Sequence, residues 1–166
     1  MRSVEVRRSA RRKRTVAARL ERGNLIVYVP ARMSAAEEAD WVDKMRRRLE
    51  AQERRRRLNG SGDLEKRAQE LNERFFGGKL KWNGLSYVGN QQSRYGSCTV
   101  GKATIRLSDV LADMPGWVRD YVIVHELAHL VVPNHSADFW ALVNRYPLTE
   151  RARGFLIAKG IESAQD

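Results

Sequence analysis

The sequence HELAH at residues 125–129 is the stretch from which the fold and the chemistry of this chain can be worked out. The chain holds three histidines, and His125, His129 and His135 all lie in this short region. Four residues of α-helix turn through about 400°, so His125 and His129 lie on one helix face, about 6 Å apart along the axis. Two imidazoles in this arrangement can both bind one Zn²⁺ at about 2.0–2.1 Å. The spacing therefore predicts a metal site on a helix.

Glu126 and Pro133 add the features of a catalytic site. Glu126 lies about 100° round the helix from His125, where it can reach a water molecule beside the metal but not easily the metal itself. That is the position of the general base in H-E-x-x-H zinc hydrolases. Pro133 disfavours helix at the residue before it, so the helix should end there and the chain can bring His135 to the same metal. Three nitrogen ligands and one open position are the catalytic pattern for zinc.

The residues around the motif are almost all apolar, so this helix should be buried. A buried helix that carries two histidines and a glutamate must satisfy their polar atoms, and a metal ion does so directly. The alternative is an ordinary helix, because a bare H-E-x-x-H also occurs by chance. The apolar flanks and the third histidine favour the zinc site.

Four motifs carry a resemblance to a known family: RYGSC at 94–98, YVIVHELAHL at 121–130, NHS at 134–136 and FW at 139–140. They resemble the YgjP-like metallopeptidases, which are related to the SprT-like and WLM zinc peptidases. The segment 4–30 also looks similar to the opening strands of that family. One departure is Tyr95, where the family often has tryptophan.

The resemblance implies a gluzincin-like fold, with His125, His129 and His135 as zinc ligands and Glu126 as the general base. It also implies that the segment 94–98 lies near the cleft, because in gluzincins an edge strand pairs with an extended peptide beside the metal. Binding by β-augmentation would then follow.

Arg94, Tyr95, Gly96 and Ser97 are the candidate substrate contacts. Gly96 and the small residues around it allow close approach of another backbone. Arg94 can stabilise an oxyanion at the scissile group or pair with a carboxylate, and both roles stay open. Cys98 is expected to be a small buried residue, because three histidines already complete the metal site.

Two further residues can act on the site from outside. Asp120 and Tyr121 lie one turn before His125, where either can orient a metal ligand. Position alone does not decide between them.

Composition places the chain among globular proteins. At 166 residues it can bury a core, and 42% of its residues are hydrophobic. It lacks an apolar run of about 18 residues and an apolar segment after its arginine-rich start, so neither a membrane span nor a signal peptide is expected. One cysteine excludes an internal disulfide. We expect a cytoplasmic enzyme without a membrane partner.

Positive charge is concentrated in the N-terminal third. Residues 1–57 hold 18 of the 31 Lys and Arg residues and 8 of the 20 Asp and Glu residues, which gives +10 of the net +11. This asymmetry fits nucleic acid or another polyanion as a partner. It fits an arginine-rich solvated surface equally well. The arginine clusters also lack interleaved aromatic residues on which bases could stack.

The pattern of residues predicts an α+β fold. An edge strand at 4–6, a β-hairpin at 15–20 and 25–29, and a long basic helix from Ser34 to about residue 58 should form an N-terminal subdomain, residues 1–60. Glu37 completes a capping box with Ser34. The break at 59–62 separates it from a catalytic core, residues 61–166, although the two are expected to form one compact unit.

The catalytic core should be zincin-like, with a small, mostly antiparallel sheet packed on the active-site helix. Helices are expected at 63–76, from Pro115, after Ser136 and from Pro147, and strands within 80–88 and 93–107. The residues after 160 should form a fraying tail.

The most probable function on these grounds is zinc-dependent hydrolysis of protein or peptide substrates. Two alternatives stay open. The same zinc and glutamate could hydrolyse a nucleotide phosphoanhydride with arginines holding the phosphates, although no Gly-rich phosphate loop supports this. The chain could also be a nucleic-acid-binding module with a structural zinc, and its binding would then depend steeply on salt.

Overall fold

The computed structural model describes residues 3–91 and 94–160, and it divides the chain into two compact units, Met1–Arg54 and Arg55–Asp166. The division after Arg54 lies within helix α1 (Ala35–Gly60), whereas the predicted boundary after residue 60 coincides with the end of that helix. Two predictions, the strand start at Ser93 and the tail after residue 160, lie outside the described residues.

The first unit is built on a three-stranded sheet of β1 (Val4–Ser9), β2 (Ala17–Glu21) and β3 (Asn24–Pro30), in the order β1-β3-β2. The predicted hairpin is confirmed, because β2 and β3 pair antiparallel across a turn at Arg22 and Gly23, both with positive φ. Strand β1 is the predicted edge strand and runs parallel to β3. The core of this unit joins apolar residues of β3 and α1: Leu25, Val27, Val29, Val42, Met45 and Leu49.

Helix α1 begins with the predicted capping box. The Glu37 backbone N–H donates to Ser34 Oγ at 3.3 Å, and the Ser34 backbone N–H donates to Glu37 Oε2 at 3.0 Å. These two bonds satisfy donors that the first helical turn leaves unpaired. The capping box therefore fixes where the long basic helix starts.

The second unit contains α2 (Asp63–Phe76), β4 (Gly84–Val88), β5 (Gly96–Thr99), β6 (Thr104–Ser108), α3 (Gly116–His129), α4 (Ala137–Val143) and α5 (Thr149–Ala158). Its sheet has the order β4-β6-β5, which leaves β5 at one edge. The α+β class is confirmed. The described part of the chain includes no helix that is both long enough and apolar enough to span a membrane.

The sheet of the second unit is mixed, so the prediction of a mostly antiparallel sheet is wrong. Strands β5 and β6 are antiparallel neighbours, joined by a tight turn in which Ala103 has a φ of 47°. Strand β6 fills the position between β4 and β5 and runs parallel to β4. Strands β4 and β5 follow each other in the sequence but are not neighbours in the sheet. The alternation of apolar residues within a strand does not reveal this, because the pattern is the same whichever strand lies beside it.

Helix α3 is the centre of this unit. It packs against α2, α4, α5 and strand β5. Its residues from Tyr121 to Ala128 are all buried, which explains why the sequence there is apolar on nearly every side. His125 and Glu126 are therefore held among buried side chains, largely out of contact with solvent.

Candidate metal centre

The structure brings the three histidines together. His125 and His129 lie one turn apart on α3, and their Nε2 atoms are 3.2 Å apart. His135, in the segment between α3 and α4, places its Nε2 atom 3.2 Å from the same Nε2 of His125. The three ligand atoms all lie within 4.8 Å of one another. This is the cluster that the spacing of the sequence predicts.

The geometry of the cluster fits one shared metal ion. A tetrahedral ion with bonds of about 2.0–2.1 Å holds its nitrogen ligands about 3.3–3.4 Å apart, close to the 3.2 Å found here. Hydrogen bonds among the rings do not explain the arrangement, because His125 Nε2 meets two other Nε2 atoms and a neutral ring nitrogen carries either one proton or one lone pair. A metal ion satisfies all three nitrogens at once.

The end of α3 orients the imidazole ring of His129. The helix stops at His129, and the backbone N–H groups of Val131 and Val132 both bond to the carbonyl of Ala128 in the turn before Pro133. This turn places the Val132 carbonyl 3.2 Å from His129 Nδ1. Nδ1–H donates to that carbonyl, so the lone pair is on Nε2, which faces the cluster.

Aromatic packing holds His135, which has no helix to support it. Its ring lies 4.7 Å from the Phe139 ring in an edge-on contact and stacks on Trp140 at 5.9 Å and 29°. Phe139 is fully buried and also stacks on His129 at 4.4 Å. Helix α4 thus fixes the third histidine against the first two.

All three imidazoles are held in the neutral form that binds metals. Burial lowers the pKa of His125 well below its usual 6.5, and the neighbouring His129 and His135 lower it further. Burial also lowers the pKa values of His129 and His135. Metal binding therefore does not have to displace protons at neutral pH.

Glu126 is a buried carboxylate beside this cluster. It is 3% exposed, and its Oε2 accepts no hydrogen bond from the described residues. Burial raises its pKa to about 8, while the positive charge of Arg94 acts in the opposite direction. A carboxylate with a raised pKa in a dry site can take up and release a proton near neutral pH, as a general base must.

The raised pKa of Glu126 should make the metal-free protein less stable as the pH rises. The folded chain holds a proton with a pKa of about 8, whereas the usual carboxyl value is 4.5. The contribution of that proton to stability is complete below about pH 4.5 and is lost as the pH rises through 8. We expect Glu126→Gln to exceed the wild type in free energy of unfolding by on the order of 4 kcal/mol at pH 8 and to match it near pH 4.5.

Urea unfolding of the two metal-free proteins between pH 4.5 and 8 measures this difference. The histidines titrate alike in both chains, so they cancel in the comparison. A difference that stays constant with pH would contradict the link to Glu126.

The four candidate substrate contacts have different environments. Arg94 is exposed, whereas the Tyr95 side chain is 3% exposed and lies in the hydrophobic core. Ser97 Oγ accepts a hydrogen bond from Gln91 Nε2 at 2.7 Å. Gly96 has no side chain to offer. The role of this segment in substrate binding stays a prediction.

Asp120 and Tyr121 turn out to differ in role. Asp120 forms a two-point ion pair with Arg67 of α2, with Nε to Oδ1 at 3.0 Å and Nη2 to Oδ2 at 2.6 Å, so it holds α2 to α3. The Tyr121 ring lies 6.0 Å from the His125 ring and supports that ligand by packing. Burial raises the pKa of Tyr121 to about 12, which keeps its hydroxyl protonated.

Arg153 of α5 is near the site and was missed in the sequence. Its guanidinium carbon lies 4.7 Å from the centre of the Trp140 ring, and its positive charge contributes to the low pKa of His125. No sequence signal marks it, because only the fold brings α5 beside α4. Cys98 lies outside the histidine cluster, and burial and the charge of Glu126 raise the pKa of its thiol to about 11.

The arginine-rich first unit has its own local partners. The guanidinium groups of Arg7, Arg12 and Arg19 lie 5.2–6.0 Å from the ring of Tyr28. Several of the basic residues in this unit form ion pairs with nearby carboxylates, namely those of Glu5, Glu21, Glu38 and Asp43. These pairs neutralise part of the charge, and a polyanion partner stays a prediction.

A helix with H-E-x-x-H and a third histidine beside it belongs to the metallohydrolase class of sites. Residues 78–156 match the family model described as the YgjP-like metallopeptidase domain. This part of the chain is therefore similar to the YgjP-like metallopeptidase domain, which confirms the resemblance seen in the sequence.

The fold is similar to the crystal structure of the metallopeptidase zymogen of Pyrococcus abyssi abylysin, with 18% identity and a TM-score of 0.49, over 58% of this chain and 93% of that one. No curated protein matches the chain.

Proposed function

We propose that this protein is a zinc-dependent metallopeptidase in which His125, His129 and His135 hold the metal and Glu126 is the general base. The observation that carries the proposal is the convergence of three neutral imidazole nitrogens beside one buried carboxylate. The zincin, gluzincin-like architecture is part of the same proposal.

Zinc is proposed from the donor set. Imidazole nitrogens suit zinc, copper, iron and nickel, whereas calcium and magnesium prefer oxygen. Three histidines that leave one position open are the ligand set of several catalytic zinc sites. The nitrogen spacing of 3.2 Å fits the tetrahedral geometry that zinc adopts.

The side chains around the cluster can carry out the rest of the hydrolysis. When bound, zinc supplies a Lewis acid that polarises the scissile carbonyl and acidifies water. Glu126 accepts a proton from the attacking water as its oxygen bonds to the carbonyl carbon. Glu126 then delivers that proton to the leaving nitrogen as the C–N bond breaks. The exposed edge of β5 is suited to hold an extended peptide, and the guanidinium of Arg94 can stabilise the charged oxygen.

The test of this function combines metal removal with two kinds of substrate. We expect the purified chain to contain about one zinc by elemental mass spectrometry and to cleave an unfolded protein such as casein. A chelator should abolish cleavage, because the open zinc position supplies the Lewis acid, and added Zn²⁺ should restore it. Nucleoside triphosphates are the matched comparison.

Two results would overturn the proposal. One is a chain without metal even after zinc is supplied and the excess removed. The other is release of phosphate from the triphosphates without cleavage of any unfolded protein, which would favour the phosphoanhydride alternative. No observation in the described residues favours that alternative or a nucleic-acid-binding module with a structural zinc over the peptidase.

A further inference from the structure

The edge strand β5 runs directly against Glu126, and Gly96 is the residue of that strand that meets it. A Cβ atom added to Gly96 would lie 2.8 Å from both Cγ and Cδ of Glu126 and closer still to Oε1. Contacts of Cβ atoms below 3.0 Å are essentially never seen. Any side chain at residue 96 would therefore have to displace Glu126.

The backbone of Gly96 does not itself require glycine. Within residues 3–91 and 94–160, five glycines have positive φ, namely Gly23, Gly62, Gly77, Gly78 and Gly160, and Gly96 is not among them. Its conformation is that of an ordinary strand residue, paired with Leu107 of β6. The space that Glu126 occupies is therefore the reason why a side chain does not fit here.

Glu126 has little freedom to move away. The close atoms include Cγ, which is near the helix backbone, as well as the carboxylate oxygen. The side chain is 3% exposed and its neighbours along α3 are buried, so the surrounding packing limits where it can move. Cys98, two residues along β5 and thus on the same strand face, is also small, and its thiol senses the charge of Glu126.

We propose that Gly96 is a positioning residue for the proposed general base. Because it lacks a side chain, the backbone of β5 forms a wall against which the Glu126 carboxylate is held in its reactive position. This inference rests on the proposed peptidase function for its kinetic part only. The predicted role of Gly96 was that of a substrate contact. The proposal instead gives Gly96 an effect on the rate of the reaction through the position of Glu126, and no effect on substrate binding.

The kinetic test compares Gly96→Ala with Gly84→Ala. Gly84 is a strand residue of the same sheet, but an added Cβ there meets only Thr104 Cγ2, at an ordinary 3.9 Å. Gly96→Ala should keep its zinc and its KM and lose about 10²-fold in kcat, the size of effect expected from a shift of about 1 Å in a catalytic group. Gly84→Ala should behave as the wild type. A raised KM with unchanged kcat would overturn the proposal in favour of substrate contact.

A second test needs no activity, so it separates this proposal from the proposed function. In the metal-free protein, Gly96→Ala should lower Tm by about 5 °C when Glu126 is present, because the added methyl group overpacks the site. In a Glu126→Ala background the same change should leave Tm unchanged or raise it, since the methyl group then enters vacated space. An equal fall in Tm in both backgrounds, or no fall in Tm in either, would contradict the proposed contact between the Gly96 backbone and Glu126.

Poor folding of Gly96→Ala alone would not leave the question open. The double variant Gly96→Ala, Glu126→Ala should then fold, because it removes the contact that causes the failure. If the double variant also failed while Glu126→Ala folded, Gly96 would have a backbone role unrelated to Glu126, and the proposal would be wrong.

Discussion

Replacing Glu126 with glutamine is expected to remove peptide hydrolysis and to leave the metal in place. Glutamine keeps the shape of the side chain but cannot take a proton from water. A positioned general base contributes about 10²–10⁴-fold to a rate, and Glu126 would serve in both proton transfers, so we expect kcat to fall by about 10³–10⁴-fold. Zinc content should be unchanged because the ligand nitrogens come from histidines alone.

The control for this variant is Glu73→Gln. Glu73 is an exposed glutamate of α2 that accepts a hydrogen bond from Gln69 and lies on a different helix from the histidines. It should keep full activity and full zinc. Full turnover in Glu126→Gln would exclude Glu126 as the base, and loss of zinc in that variant would show that the carboxylate is itself a ligand.

Replacing His135 with alanine is expected to cause the second large effect, loss of the metal. Mutation of outer groups that merely orient a ligand costs about 10–100-fold in metal affinity, so removal of a ligand should cost more than about 100-fold. His135 is the clearest choice because it is only partly buried and belongs to the turn before α4, so its removal leaves the core intact. His129→Ala should lose the metal and also some stability, because Phe139 stacks on its ring.

Zinc titration followed by elemental analysis and thermal unfolding measures this loss. The wild type should gain Tm when zinc is added, because a ligand that binds the folded state stabilises it, and His135→Ala should gain little. Asn134→Ala, the exposed neighbour in the same turn, is the control and should respond as the wild type. If His135→Ala bound zinc as tightly as the wild type, His135 would not be a ligand, and only His125 and His129 would remain as histidine ligands.

The sequence predicts the parts of the site that follow from local geometry. The four-residue spacing of His125 and His129 determines their common helix face, and Pro133 determines where the helix ends, so that His135 can return. The capping box at Ser34 and the hairpin turn at Arg22 are local in the same sense. Each of these features depends on residues a few positions apart, for which helix and turn geometry is nearly fixed.

The features that escaped prediction depend on residues far apart in the chain. The order β4-β6-β5 cannot be read from apolar alternation, because each strand looks the same whichever neighbour it has. The pairing of Arg67 with Asp120 and the approach of Arg153 to Trp140 need the packed helices. The burial of Tyr95, just before strand β5, likewise depends on how that segment packs in the folded unit.

The division of the chain has a consequence for how such a protein can change over time. The segment Arg55–Asp166 contains all three histidines, the buried glutamate and strand β5. The segment Met1–Arg54 contains the hairpin and most of the long arginine-rich helix, and it has its own small core. The described residues of Met1–Arg54 include none of these side chains, so substitutions in that segment leave the set of candidate ligands and the candidate base unchanged. The sequence of the first segment can therefore vary widely while the residues of the candidate site stay the same.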